Sequence, residues 1–304
     1  MTRRPIQIML VAAHPADSFD QAGGTLAHHV EYGDRVTILV AMTGARSHHS
    51  RLMEERRQKG AEFDVEEKIQ QAADEKLAEV RKACSILGFD DVRDLGFEDD
   101  DVTVTQDKID AIANVIREVK PDLMILEHPY ENSGLTMHAT IGQATIQALE
   151  VAAGTGHGKQ ERHGVPSVYF MNPMAWEGSN SLGYGGTSRA DLYVDISDVI
   201  EKKVQAMDCI ASQFYGGSYA RKCAEIQDGV NGNRVGVAYA EQFQSYGPML
   251  RYTLPITNAQ LDRVNESSEI TMGRLSEMAG GLLPLPQEMA FTSNYRVKKE
   301  RYSE

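Results

Sequence analysis

Ile6-Gln7-Ile8-Met9-Leu10-Val11-Ala12-Ala13-His14-Pro15-Ala16-Asp17 decides how the rest of the chain is read. Ile6 to Ala13 is a short apolar run that stops at a polar turn. That is the pattern of a strand buried on both faces, as in a parallel sheet. Working outward, 20–32 reads as a helix opened by Asp20 and closed near Gly33, and Arg35 to Met42 as a second strand. The charged, periodic stretch 50–87 reads as two helices, one ending near Gly60 and one running from Glu66 to Leu87. A short strand at Val92-Arg93-Asp94-Leu95, a helix over 105–119, a strand from Leu123 to Glu127 and a helix from Met137 to Ala152 follow. This alternation predicts an α/β fold, a mostly parallel sheet with helices on both faces.

Further strands are expected at Val168–Met171 and Leu192–Val194, separated by a Gly- and Ser-rich loop over 176–188 that covers the site. A helix is expected from Ser197 to Phe214 and another from about Tyr219. Beyond Pro255 the periodicity weakens, and the tail ends in Arg-Val-Lys-Lys-Glu-Arg-Tyr-Ser-Glu.

The composition narrows the function. Of 304 residues, 44 are acidic and 31 are Lys or Arg, a formal charge of −13. A broad nucleic-acid surface is excluded, and a local basic pocket is not. No apolar run has the length of a membrane span, and the start of the chain shows no signal-peptide pattern. Cys84, Cys209 and Cys223 are odd in number and far apart, which fits reduced thiols in the cytoplasm.

Chemistry concentrates at strand carboxyl ends, where open α/β sheets bind ligands. His14 and Asp17 lie three residues apart on the first such turn and can face one cation. Taken alone, Asp17 reads better as a helix cap and His14 as a turn residue, just as His138 alone reads better as a lone helix-start histidine. His138 starts the helix after the fourth strand and can join them. Two His and a carboxylate with an open fourth position form a catalytic zinc arrangement.

Arg46-Ser47-His48-His49 follows the second strand at another carboxyl end. Arg46 can clamp a substrate carboxylate, and His48 or His49 can move protons near neutral pH. A solvated loop accounts for the His pair equally well. Glu54 and Glu55 lie just beyond and also fit an ordinary helix surface. His128, in the loop after the fourth strand, is a further candidate, with His157 and His163 behind it. Trp176, the single tryptophan, either walls the pocket or packs.

Together these pieces resemble the LmbE-like (PIG-L) superfamily of zinc-dependent deacetylases, which carries A-H-P-D-D-E, a G-G-T element and later H-P-D-H. Ala13-His14-Pro15-Ala16-Asp17-Ser18 and Gly23-Gly24-Thr25 match the first block, and Leu135-Thr136-Met137-His138 matches the last position of the second. Thr43-Gly44, Leu95-Gly96-Phe97-Glu98-Asp99, Tyr193-Val194-Asp195-Ile196-Ser197, Ser212-Gln213 and Ala240-Glu241-Gln242-Phe243 continue the series. The resemblance implies a Rossmann-like fold over 1–250, with zinc on His14, Asp17 and His138, and Asp99 as a substrate-binding carboxylate. Asp99 reads equally well as part of an acidic loop. Residues 251–304 are then an extension, read as an oligomerisation arm of a homo-oligomer.

Two departures matter. The position of the deacetylases' general base is Ala16, and a position that helps hold the oxyanion is Leu135. One branch of the superfamily, the 4-oxalomesaconate hydratases, adds water across an activated C=C. The expectation is therefore a cytoplasmic zinc hydratase acting on a small, anionic, unsaturated oxo-carboxylate. His48, His49 or Glu55 would move protons, with Arg46, Asp99 and His128 on the substrate. A zinc-dependent amide deacetylase and a non-catalytic metal-binding protein are the alternatives.

Overall fold

The computed structural model describes residues 3–60, 63–130, 136–156, 160–171 and 190–278. The expected cover over 176–188, with Trp176, and the positions of Leu135 and His157 lie outside these residues. Seven strands form one sheet: β1 (Gln7–Ala12), β2 (Arg35–Met42), β3 (Asp91–Phe97), β4 (Leu123–Leu126), β5 (Ser167–Met171), β6 (Leu192–Asp195) and β7 (Ala240–Ser245). Their order is β3-β2-β1-β4-β5-β7-β6. The first five neighbours pair in parallel, whereas β7 runs antiparallel to both β5 and β6.

Alternate residues of β1 point to opposite faces, and both faces are buried. Ile8, Leu10 and Ala12 enter one apolar core with α1 (Asp17–Tyr32), α3 (Glu66–Leu87) and α6 (Ile200–Asp208). Met9, Val11 and Ala13 enter another with α4 (Gln106–Val119) and α5 (Thr136–Ala153). This is the three-layer arrangement that a continuous apolar strand demands. The chain builds from β1 toward β3, then returns to the other side of β1 for β4. The strand order therefore reverses between the carboxyl ends of β1 and β4, the place where such sheets open a binding crevice.

Helix α1 starts three residues earlier than read from Asp20, because Asp17 turns back and accepts the His14 N–H at 2.6 Å. Gly24 is required for close packing: a Cβ there would lie 2.6 Å from Cγ2 of Ile196. The N–H groups of Gly24 and Thr25 donate to the Glu241 carboxylate at 2.9 and 2.7 Å. Lys203 Nζ lies 2.9 Å from Glu241 and 2.8 Å from Asp228, so α1 is tied to β7 by buried charge. Burial pushes Asp228 up to about 7 despite Lys203. Gly24→Ala is expected to destabilise the fold by about 1–3 kcal/mol through overpacking against Ile196. A urea midpoint unchanged from wild type would contradict it.

The helix expected from Ser197 to Phe214 is divided. It runs from Ile200 to Asp208, and a short 3-10 turn, Ala211–Gln213, follows. The break lets Ser212 donate to Glu79 through its N–H at 2.8 Å and its hydroxyl at 2.6 Å. The helix expected near Tyr219 begins as α7 (Ser218–Cys223), passes through a π-helical turn, Ala224–Gly229, and ends as α8 (Val230–Val235). Past Pro255, α9 (Asn258–Arg263) and α10 (Ser268–Leu275) are short. Arg263 and Arg274 attach them to the end of α8 by donating to the carbonyls of Val235 and Gly236. No described helix is long and apolar enough to cross a membrane.

Candidate metal centre

His14 is the second residue past β1, Asp17 opens α1, and His138 lies in the first turn of α5. All three are buried at the reversal of strand order. His14 Nδ1 is 3.2 Å from His138 Nε2, and Asp17 Oδ2 is 3.4 Å from each of these nitrogens. Ligand atoms about 2.0–2.1 Å from a tetrahedral ion stand about 3.3–3.4 Å apart. The triangle therefore fits a divalent cation without rearrangement, and among the described residues it is the cluster with that property. Burial would raise the Asp17 carboxyl, but His138 and His14 hold it well below the usual carboxylate range. Asp20, one turn on, is pushed upward by burial and by the charge of Asp17.

Glu127, at the carboxyl end of β4, braces the cluster from behind. One carboxylate oxygen accepts the Ala13 N–H at 3.0 Å and the other lies 3.9 Å from His138 Nδ1. At that distance the contact is one of charge, beyond hydrogen-bond reach. Sequence reasoning did not single out Glu127; its signal was its place directly before His128 at a strand end.

The loop from β2 to α2 (Ser50–Lys59) forms the opposite wall. His48 lies 4.1 Å from His14 between ring centroids, tilted by 40°. Its Nδ1 is 2.6 Å from Ser47 Oγ, and that hydroxyl is 3.1 Å from Asp99 Oδ2. With the Ser47 proton directed to Asp99, His48 donates from Nδ1 and keeps Nε2 as a base. Burial and the neighbouring His14 lower the His48 imidazolium to about 4. Lys76, fully buried on α3, donates to the His48 carbonyl at 2.9 Å and to Gln213 Oε1 at 2.6 Å. The loop carrying His48 is therefore held from below by a lysine and a glutamine, neither of which had been marked as a site residue. Ser212-Gln213 had matched the family pattern, which was the available signal.

The other expected residues are used differently. Asp99 is 2% exposed and accepts the N–H groups of Gly44, Arg46 and Ser47 at 2.7, 2.8 and 3.0 Å. Burial would raise its pKa, but the Ser47 and Gly44 N–H groups outweigh it and hold the carboxyl below the usual range. It organises the loop. Because its folded pKa is depressed, this contribution is present above the usual carboxylate pKa of about 4 and fades as pH falls through the folded value. Asp99→Ala is expected to cost about 1.5–3 kcal/mol at neutral pH, with a smaller difference in acid. Equal urea midpoints at neutral pH would contradict it.

The Arg46 guanidinium spends its fork on Glu66, at 2.7 Å through two nitrogens, and on Glu98 at 2.8 Å. The side chain expected to clamp a substrate carboxylate is thus paired here with two exposed carboxylates of the chain. His49 accepts the Leu52 N–H at Nδ1 and pairs with Glu75 at Nε2, both at 3.0 Å, so it caps α2 instead of facing the cluster. Glu55 pairs with Lys59 on the surface of α2, and Glu54 pairs with Arg57 there. Neither reaches the cluster. His128 accepts the Tyr130 N–H at 3.2 Å and donates to Gln244 at 3.1 Å, so both ring nitrogens are engaged. His163 Nε2 bonds the Pro121 carbonyl at 2.8 Å.

Residues 9–149 match the PIG-L family, described as GlcNAc-PI de-N-acetylase. The chain is 29% identical over 262 residues to a 4-oxalmesaconate hydratase of Pseudomonas putida, covering 81% of this chain and 91% of the relative. It is 30% identical over 212 residues to a probable N-acetyl-alpha-D-glucosaminyl L-malate deacetylase of Bacillus cereus, covering 68% of this chain and 83% of that one. Among solved structures, the 4-carboxy-2-hydroxymuconate hydratase GalB from Pseudomonas putida superposes with a TM-score of 0.67 at 24% identity. That match covers 82% of this chain and all of the other. The diacetylchitobiose deacetylase from Pyrococcus horikoshii superposes with a TM-score of 0.61 at 17% identity, covering 78% and 82%. At these identities the superpositions establish the fold.

Proposed function

The chain belongs to the PIG-L family, and we propose that within it this protein is a zinc-dependent hydratase adding water to a small unsaturated oxo-carboxylate. One observation carries the reading. The buried His14, Asp17, His138 triangle is intact, while the neighbouring position that resembles the deacetylases' general base is the buried methyl of Ala16. A methyl group cannot take a proton from water. His48 stands against His14 with its ring oriented through Ser47 and Asp99, and it supplies a proton-transfer group on the opposite wall. The overall likeness to the 4-oxalmesaconate hydratase supports the same choice.

Zinc, held by His14 Nδ1, Asp17 Oδ2 and His138 Nε2, would supply Lewis acidity toward a substrate carbonyl or a water. His48 Nε2 would take a proton from the incoming water and return it to the substrate carbon, so that the OH and H of one water add across the C=C; in the reverse sense it would take the proton from that carbon and give it to the departing hydroxyl. The Asp99–Ser47 pair keeps the His48 ring in the tautomer that leaves Nε2 able to accept. Of the residues expected to share the proton transfer, this reading keeps His48 and gives His49 and Glu55 no part. We further read the protein as a cytoplasmic homo-oligomer acting on an anionic small molecule. The three thiols Cys84, Cys209 and Cys223 are unpaired with one another, in keeping with a reducing compartment.

A paired assay tests the reading. Zinc-loaded protein is offered unsaturated oxo-dicarboxylates, followed by loss of their conjugated ultraviolet absorbance, and N-acetylated amino sugars, followed by acetate release. Absorbance loss without acetate release is expected. Acetate release with no hydration would replace the hydratase by the deacetylase, which the 30% identity to the Bacillus cereus relative favours.

A further inference from the structure

Past β7 the chain crosses 246–256 without forming helix or strand. Leu250, Tyr252, Leu254 and Ile256 are 100, 105, 91 and 59% exposed. These four large apolar side chains fall within seven residues. Arg251, Thr253 and Pro255 alternate with them. Among the described residues, 248–256 exchange no backbone–backbone hydrogen bond with one another or with the sheet. Both ends are fixed. The Tyr246 N–H donates to the Val168 carbonyl at 3.0 Å, and Thr257 starts α9 with a capping box. The segment is thus an anchored strap whose middle offers large apolar side chains to water, a feature that marks an interaction surface.

We propose that this strap is an arm that docks on a second copy of the chain. Charge argues for the partner. Two copies that each carry a formal charge of −13 repel, and they meet most readily through a charge-poor patch. From 246 to 256 the single charged side chain is Arg251. Area argues for the same partner. Large apolar and aromatic residues offer roughly 150–250 Å² each, so the four strap residues bring on the order of 600 Å². Leu261 on α9, 54% exposed, and Val264 just past its end, 77% exposed, add further apolar surface beyond the strap. The total approaches the roughly 800 Å² per partner of a standard stable interface. A two-fold axis presents one such patch to its own copy, and apolar faces are self-complementary in that arrangement. The proposal rests on the homo-oligomeric reading above and not on the hydratase chemistry.

Light scattering coupled to size exclusion tests it on the full chain. Wild type is expected at twice the monomer mass or a higher multiple. A Leu250→Asp, Leu254→Asp double variant is expected to run as monomer, with self-association weakened about a hundredfold or more. Both positions are exposed in the single chain, so the variant should keep the wild-type circular dichroism and urea midpoint. A wild type that stays monomeric across its soluble range overturns the arm and the homo-oligomeric reading together. An oligomer that the folded variant leaves intact overturns the arm alone.

Discussion

A His14→Ala, His138→Ala double variant is expected to lose stoichiometric zinc and to lower turnover by about 10³-fold or more while the sheet stays folded. The expectation follows from the triangle of ligand atoms. His14 Nδ1, His138 Nε2 and Asp17 Oδ2 stand 3.2–3.4 Å from one another, the spacing a tetrahedral ion requires. Two of the three donors then vanish together, and one carboxylate does not hold a divalent cation in competition with water. The sheet should survive, because the cores built on Ile8, Leu10, Met9 and Val11 lie further back along β1. Elemental analysis, turnover and a thermal melt on the same preparation decide the matter. Full zinc retention in the variant would remove these residues from the metal centre.

His48→Ala is expected to lower kcat by about 10²-fold or more with zinc still bound, the size of one lost proton-transfer group. The geometry separates this effect from the first. His48 touches the cluster through its ring, 4.1 Å from that of His14, and is not one of the three clustered donors. The loop backbone is held independently, through Asp99 at Gly44, Arg46 and Ser47 and through Lys76 at the His48 carbonyl. Truncation at His48 should therefore leave the loop in place and remove only the imidazole. KM should change less than kcat, since the lost contact belongs to the transition state. Near-normal kcat with zinc bound would move the proton transfer to another residue.

Much of the fold was legible because β1, β2 and α3 follow simple patterns. Their apolar residues are buried, and Gly33 and Gly88 end α1 and α3 in left-handed turns at φ 95 and 98. β7 escaped because Ala240-Glu241-Gln242-Phe243 carries buried polar residues, whose partners Lys203, Gly24 and Thr25 lie far away in sequence. The helix divided at Cys209 escaped for the same reason: Glu79 and Lys76, on another helix, claim Ser212 and Gln213.

That His14, Asp17 and His138 come together was legible to the same degree, because each follows a strand end where local sequence already points to a crevice. The loop after β2 was not, because chemistry-bearing residue types do not reveal their partners. Arg46, His49 and His128 are spent on Glu66, Glu75 and Gln244, and only tertiary structure shows which of the loop's side chains stays turned toward the cluster.

The central claim is that water is added and nothing is cleaved. Zinc-loaded protein turning over an unsaturated oxo-dicarboxylate in ¹⁸O-labelled water, read by mass spectrometry, tests it most directly. The account predicts a product heavier than substrate by one labelled water, with no fragment released. Labelled acetate from an N-acetylated substrate, with the oxo-dicarboxylate left unchanged, would contradict it.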